Sequence, residues 1–140
     1  MKPFQSQIRL HKWTVDEAQR QLGELMRLAD RLRQDLADLE AEAVREQRTA
    51  SQSIEASLTY GAYAERVIER REKLNRSIAE VDGQVEQARD ALKDAFAELK
   101  KFELAAEAAE ERARKKRDAR EQTTLDEVGL GIFRRQAKEG

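Results

Sequence analysis

The chain has no cysteine, a single proline (Pro3), a single histidine (His11) and few aromatic residues, 5% of its 140 positions. Without cysteine there is neither a disulfide framework nor a thiolate metal site, which fits a reducing, intracellular setting. Large apolar side chains are too scarce to fill a compact multilayered core. Charged residues instead make up 39% of the chain, against roughly 25% in an ordinary globular domain. That balance suits long helices that bury one narrow stripe and solvate the rest. The net charge of −1 exerts no strong overall pull on nucleic acid or anionic lipid. No stretch approaches the roughly 18 apolar residues of a membrane span. The opening MKPFQSQIRLHKW lacks the unbroken apolar segment of a signal peptide. The expectation is one soluble, cytoplasmic domain.

What the sequence does contain is heptads. Phe4, Ile8, His11, Val15, Ala18, Leu22, Leu25, Ala29, Leu32, Leu36, Leu39 and Ala43 are separated by alternating steps of four and three. A second tract runs Tyr60, Ala64, Val67, Arg71, Leu74, Ile78, Val81, Val85, Ala88, Leu92, Ala95, Leu99, Phe102, Ala106, Ala109 and Ala113 in the same rhythm. Only His11 and Arg71 interrupt these apolar series. A period of 3.5 sustained this long indicates a coiled coil; an ordinary amphipathic helix would carry a wider stripe that drifts toward 3.6.

Between the tracts lies TASQSIEASLTYGAY, residues 49–63, rich in Ser and Thr and containing Gly61. Such residues favour helix ends. The expected fold is all-α, two long helices in an antiparallel coiled-coil hairpin over residues 1–120. Helix 1 is expected at about 4–57, a turn at about 57–62 and helix 2 at about 62–120, each helix about 80 Å long. Residues 121–140 form a tail, flexible or ordered by a partner. In an antiparallel pair the numbers of facing residues have a constant sum. A sum of 117 sets Glu46, the next seam position after Ala43, opposite Arg71, so that the two charged seam residues meet, and Leu22 opposite Ala95 and Leu36 opposite Val81. The next register would bury Glu46 against Ile78, which is costly.

Little here resembles catalytic machinery. His11 sits at a seam position, where a histidine acts as a tolerated polar layer, and the glycines form no phosphate-cradling loop. Carboxylates alternate with Lys and Arg as on solvated helix faces. No catalytic residue, metal ligand or cofactor is assigned, and a two-helix rod offers no enclosed pocket. The chain is expected not to be an enzyme.

Three features exceed a plain rod. Leu10, Trp13 and Leu104 fall outside the seam near the open end, and an exposed Trp is a frequent interface anchor. The run RARKKRDAR, residues 112–120, carries Arg112, Arg114, Lys115, Lys116, Arg117 and Arg120 against Asp118. Its bland explanation is a helix C-terminus, where the dipole favours cations; its functional one is an acidic partner, or less readily nucleic acid, since no aromatics interleave with it. The tail holds Leu125, Val128, Leu130, Ile132 and Phe133, either frayed or ordered on a partner.

With Phe4 followed by Leu10, two heptad helices, the segment LTYGAYAERVIERREKL and, after the basic run, TTLDEVG at 123–129, the chain resembles the flagellar FliJ family of type III export proteins over nearly its whole length. The resemblance implies a soluble, non-enzymatic component of the flagellar export apparatus. It implies a fold similar to the two-helix stalk of the rotary ATP synthase gamma subunit. It also implies binding of a hexameric export ATPase by the open end of the coiled coil, contact with the export gate membrane protein, and escort of export chaperones. Localisation would be cytoplasmic, peripheral at the inner membrane through those partners. The residues placed to serve them are Leu10, Trp13, Leu104, Arg114, Lys115, Lys116 and Arg117 at the open end, with Tyr60 and Tyr63 at the hairpin tip. The heptads alone serve equally a generic structural or chaperone-like coiled coil, and the basic run leaves open a nucleic-acid-binding hairpin.

Overall fold

The computed structural model describes residues 2–139. Among them are two helices and no strand: α1 spans Gln5–Ala50 and α2 spans Ile54–Glu139. The helices pack against one another as a helical hairpin. The chain divides into two compact units: Thr14–Ala95 is one, and the stretches up to Trp13 and from Phe96 onward form the other.

Thr14–Ala95 contains the reversal of the chain. Three residues make it, 51–53, not the expected 57–62. α1 is closed by Ser51, whose Oγ donates to the Arg48 carbonyl at 2.7 Å, and by the Gln52 N–H donating to the Thr49 carbonyl at 3.1 Å. Ser53 then caps α2: its Oγ accepts the Ala56 N–H at 3.0 Å, satisfying a donor that the first turn of a helix leaves orphaned. Glu55 in that turn faces the positive end of the dipole. Gly61 has a negative φ and lies inside α2. Helix 1 therefore stops seven residues short of the expected 57, and helix 2 starts well ahead of 62.

The buried side chains are those of the heptad seam. Val15, Ala29, Val67, Leu74, Val81, Val85, Ala88 and Ala95 are buried in this unit, and Leu22, Leu25, Leu32, Leu36, Ile78 and Leu92 are half-buried. Ala29 packs with Val81 and Val85, and Leu22, Leu25, Leu28 and Leu32 surround them. The pairing of Ala29 with Val81 corresponds to a sum of 110, one heptad below the expected 117. Glu46 is exposed, and Arg71 pairs with Glu40 instead: its Nε and Nη2 donate to the two carboxylate oxygens at 2.5 and 3.0 Å. The physical reason is reach. An Arg in a seam can lay its stem along apolar neighbours and carry its guanidinium out to a carboxylate flanking the seam. Charge therefore need not face charge within it. A second bridge, Arg33 to Asp82 at 2.6 Å, ties the same two helices.

In the other unit, Leu99 is buried and Phe102, Ala106 and Ala109 are half-buried, whereas Ala113 is exposed. The Phe102 ring lies 6.0 Å from Phe4 and stacks on His11 at 4.7 Å and 19°. His11 is thus a half-buried seam residue packed on an aromatic face. Phe4, just outside α1, has φ 59°, a left-handed conformation uncommon for a bulky residue. Its carbonyl accepts the Ile8 N–H at 2.9 Å.

α2 does not end at 120. It continues as helix through residues 121–139, where a separate tail was expected. Residues 112–139 contain no proline and many good helix formers. The hydroxyls that could compete with the backbone bond within the helix instead, Thr123 to the Ala119 carbonyl and Thr124 to the Arg120 carbonyl, each at 3.0 Å. Gly129 and Gly131 cost about 1 kcal/mol apiece relative to Ala, which this background absorbs.

Candidate partner interface

The open-end residues lie together in the unit that holds the start of α1 and the later part of α2. Leu10 is 59% exposed, Trp13 61% and Leu104 52%, as their off-seam heptad positions require. Trp13 thus presents a large, rigid apolar surface, the type of side chain that anchors protein contacts. A furrow of about 660 Å³ in the same unit is lined by Ile8, Arg9 and Lys12 of α1 and by Lys100, Glu103 and Glu107 of α2. Its mixed charges suit a protein surface better than one small ion.

The basic run is exposed at Arg114, Lys115, Lys116 and Arg117, of which Arg114 and Arg117 line a furrow with Lys2 and Pro3. Arg114 is bonded to Glu111, one turn earlier, at 2.6 Å. Because α2 runs on to Glu139, these cations sit in mid-helix. The dipole acts only over the first and last turns of a helix, so the helix-end explanation of this run is withdrawn. A band of like charge at mid-helix costs self-repulsion and calls for an anionic counterpart.

Tyr60 and Tyr63 belong to the other unit. They were expected at the hairpin tip and instead follow the turn by two helical turns or more, half-buried, with rings 6.1 Å apart. They line a groove of about 280 Å³ with Glu40, Val44, Gln47, Ile68 and Arg71. The Tyr63 hydroxyl is shielded and has no hydrogen-bond partner among the described residues. Loss of solvent, together with the nearby Glu42 and Glu46 carboxylates, pushes its pKa up. The Arg71 hydrogen bond holds the Glu40 carboxyl below the usual carboxylate range. Sequence reasoning missed the apolar residues around this end: Ile54 and Leu58 are 80% and 78% exposed, and Val44 and Ile68 are about half exposed. Ile54 and Leu58, four apart and off the seam phase, would have been legible had Ser53 been read as the cap. Among the described residues, no three His, Cys, Asp or Glu side chains are grouped to hold a metal ion.

The sequence as a whole decides the family. The family model described as flagellar FliJ protein matches residues 1–138. The chain belongs to the flagellar FliJ family. It is 36% identical over 127 residues to the flagellar FliJ protein of Caulobacter vibrioides strain NA1000 / CB15N, covering 89% of this chain and 90% of that one. The same identity and coverage hold for the flagellar FliJ protein of strain ATCC 19089 / CIP 103742 / CB 15. No solved structure matches. Membership of the FliJ family makes the chain a component of the flagellar export apparatus, in a family that is in general non-enzymatic. No helix among the described residues is long and apolar enough to cross a membrane.

Proposed function

We propose that the chain is a non-enzymatic stalk that binds and stimulates the hexameric ATPase of flagellar export, and that links it to the export gate membrane protein and to export chaperones. It works in the cytoplasm, held at the inner membrane through those partners. One observation carries this reading beyond family membership. A single unit of the hairpin presents Trp13, Leu10 and Leu104 exposed, together with a mid-helix cationic band, Arg114 to Arg117, that the helix dipole does not account for. An exposed apolar anchor and a charged band within one unit are both features of protein-binding surfaces. The half-buried Tyr60 and Tyr63 groove, with exposed Val44 and Ile68, is a second contact surface in the other unit, suited to the gate or a chaperone.

The test is hydrolysis by the purified export ATPase with and without this protein. Binding with faster hydrolysis is expected. Trp13→Ala, or Lys115→Glu with Lys116→Glu, should each weaken binding about tenfold or more, as loss of an interface anchor or of close charge pairs does. A full-length, folded protein that neither binds nor stimulates the ATPase defeats the proposal.

A further inference from the structure

From Glu110 to Glu139 every residue except Gly131 is exposed. This is about 45 Å of helix, approached only near its start, where Lys2 and Pro3 share a furrow with Glu110, Ala113, Arg114 and Arg117, whereas most helices in proteins draw their stability from a packed face. Leu125, Val128, Leu130, Ile132 and Phe133 are all about half exposed or more, an unusual density of bare apolar side chains.

The charges along this part of α2 come in blocks. Residues 103–111 hold Glu103, Glu107, Glu110 and Glu111 with no cation. Residues 112–120 hold six cations and one Asp. Residues 121–127 hold Glu121, Asp126 and Glu127 with no cation. After the uncharged 128–133 come Arg134, Arg135 and Lys138 against the single acid Glu139. The order is negative, positive, negative, positive. Reversed, it becomes positive, negative, positive, negative, so a copy running the opposite way meets an opposite charge at every block. One alignment, with its midpoint between residues 121 and 122, sets each of the four blocks against one of opposite sign, with like charges adjoining at the axis, where the two copies of Glu121 come together. A parallel, in-register pair would oppose like charges throughout.

We infer that the exposed C-terminal part of α2 is a self-association surface, on which a second copy of this chain docks antiparallel about a two-fold axis near residues 121–122. In that alignment Lys116 lies level with Glu127 of the partner subunit and Ala113 with Leu130 of the partner subunit. The stretch 125–133 lies level with the partner's basic run, whose long Lys and Arg stems cover apolar surface while their charged heads remain in water. The contact is isologous, so it closes at two copies. It also occupies the basic run, so the dimer and an ATPase-bound chain exclude one another. The inference stands on the charge order and exposure of α2 and does not need the ATPase reading.

Sedimentation equilibrium of the full chain tests it. A dimer is expected at low salt and should weaken as salt rises. Asp126→Lys with Glu127→Lys should weaken it about tenfold or more, and Lys116→Glu with Arg117→Glu, the residues level with them, likewise. The four substitutions combined should restore the dimer, because opposite blocks face again. Circular dichroism of each variant separates lost association from lost helix. The chain has no native cysteine, so single spin labels can be placed freely. Labels at Glu121→Cys should lie close together in the dimer, and labels at Lys138→Cys about 50 Å apart. A monomer at all concentrations, a quadruple variant as weak as either pair, or short separations at both label sites would overturn the proposal. If the chain stays monomeric while reversal of Lys115 and Lys116 abolishes ATPase binding, the surface belongs to the ATPase alone and the proposal also fails. Independence from the ATPase reading is checked by the Asp126 and Glu127 reversal, which lies outside that contact and should yield a monomer that still binds the ATPase.

Discussion

Arg71 of α2 grips Glu40 of α1 with two hydrogen bonds, from Nε at 2.5 Å and from Nη2 at 3.0 Å. The fork matches the carboxylate, and this bidentate geometry is the most directional form of an ion pair. The hydrogen bond lowers the pKa of Glu40 and raises that of Arg71. The sign follows from linkage: a carboxylate with a depressed folded value stabilises the fold above its unfolded value and loses that stabilisation as pH falls through the folded one. The raised value of Arg71 is the same interaction seen from its partner, so it too is lost once the Glu40 carboxylate is protonated. Glu40→Gln should therefore lower the melting temperature at neutral pH and leave it unchanged in strong acid. Both groups are partly solvated, so the effect should be small and should shrink with salt. Thermal melts at several pH values check this; equal losses at neutral and acid pH would refute it.

The turn makes a paired prediction. Ser53→Ala removes the cap on Ala56 and should destabilise the hairpin by about 1 kcal/mol. Gly61→Ala should do the opposite. Gly61 lies within α2, and a methyl group there meets nothing within 4 Å, so the change should stabilise by about 0.5–1 kcal/mol. Denaturant titration of the two variants would show opposite shifts; a destabilising Gly61→Ala would return the reversal to residues 57–62.

Seam and surface leucines should differ sharply. Leu74 is buried, and Leu74→Ala should cost about 2–4 kcal/mol through lost burial and a residual cavity. Leu125 is 65% exposed, and in the monomer Leu125→Ala should change stability by no more than about 0.5 kcal/mol. Chemical denaturation at low protein concentration measures both.

Tyr63 tests the cost of an unmet hydroxyl. Its shielded oxygen has no partner among the described residues, and removing such a group does not sacrifice a hydrogen bond. Tyr63→Phe should therefore leave stability unchanged or raise it. In the parent chain the Tyr63 phenol should ionise at higher pH than a free tyrosine, and stability should fall as pH rises through that range, because the unfolded chain gives up its proton first. Phenolate absorbance against pH, compared between the two proteins, isolates the signal.

The seam was legible from sequence because a 3.5-residue period leaves one phase for burial: Val81, Val85, Leu74 and Val15 lie inside as their spacing demands. Exposure of Leu10, Trp13 and Leu104 followed from the same phase. Position along the seam was a different matter, since a heptad repeat looks alike after every seven residues and only its irregularities choose among registers. Arg71 was the irregularity relied on, and its long side chain found Glu40 beside the seam rather than Glu46 within it. Gly61 drew the turn toward itself although a helix tolerates glycine, while the quieter signal, Ser53 ahead of a helix-forming run, placed the reversal. The basic run was open to a helix-end explanation only while the helix was thought to stop at about 120. Its meaning changed with the length of α2, which depends on backbone competition that no periodicity records.

α2 spans 86 residues and α1 spans 46, so one helix of the pair greatly outlasts its mate. Side chains beyond residue 110 answer to no interior. Their identities can be rewritten for charge, size or affinity while the paired portion folds as before. The packed residues thus hold the fold, and the exposed residues beyond 110 can be exchanged at little cost to it.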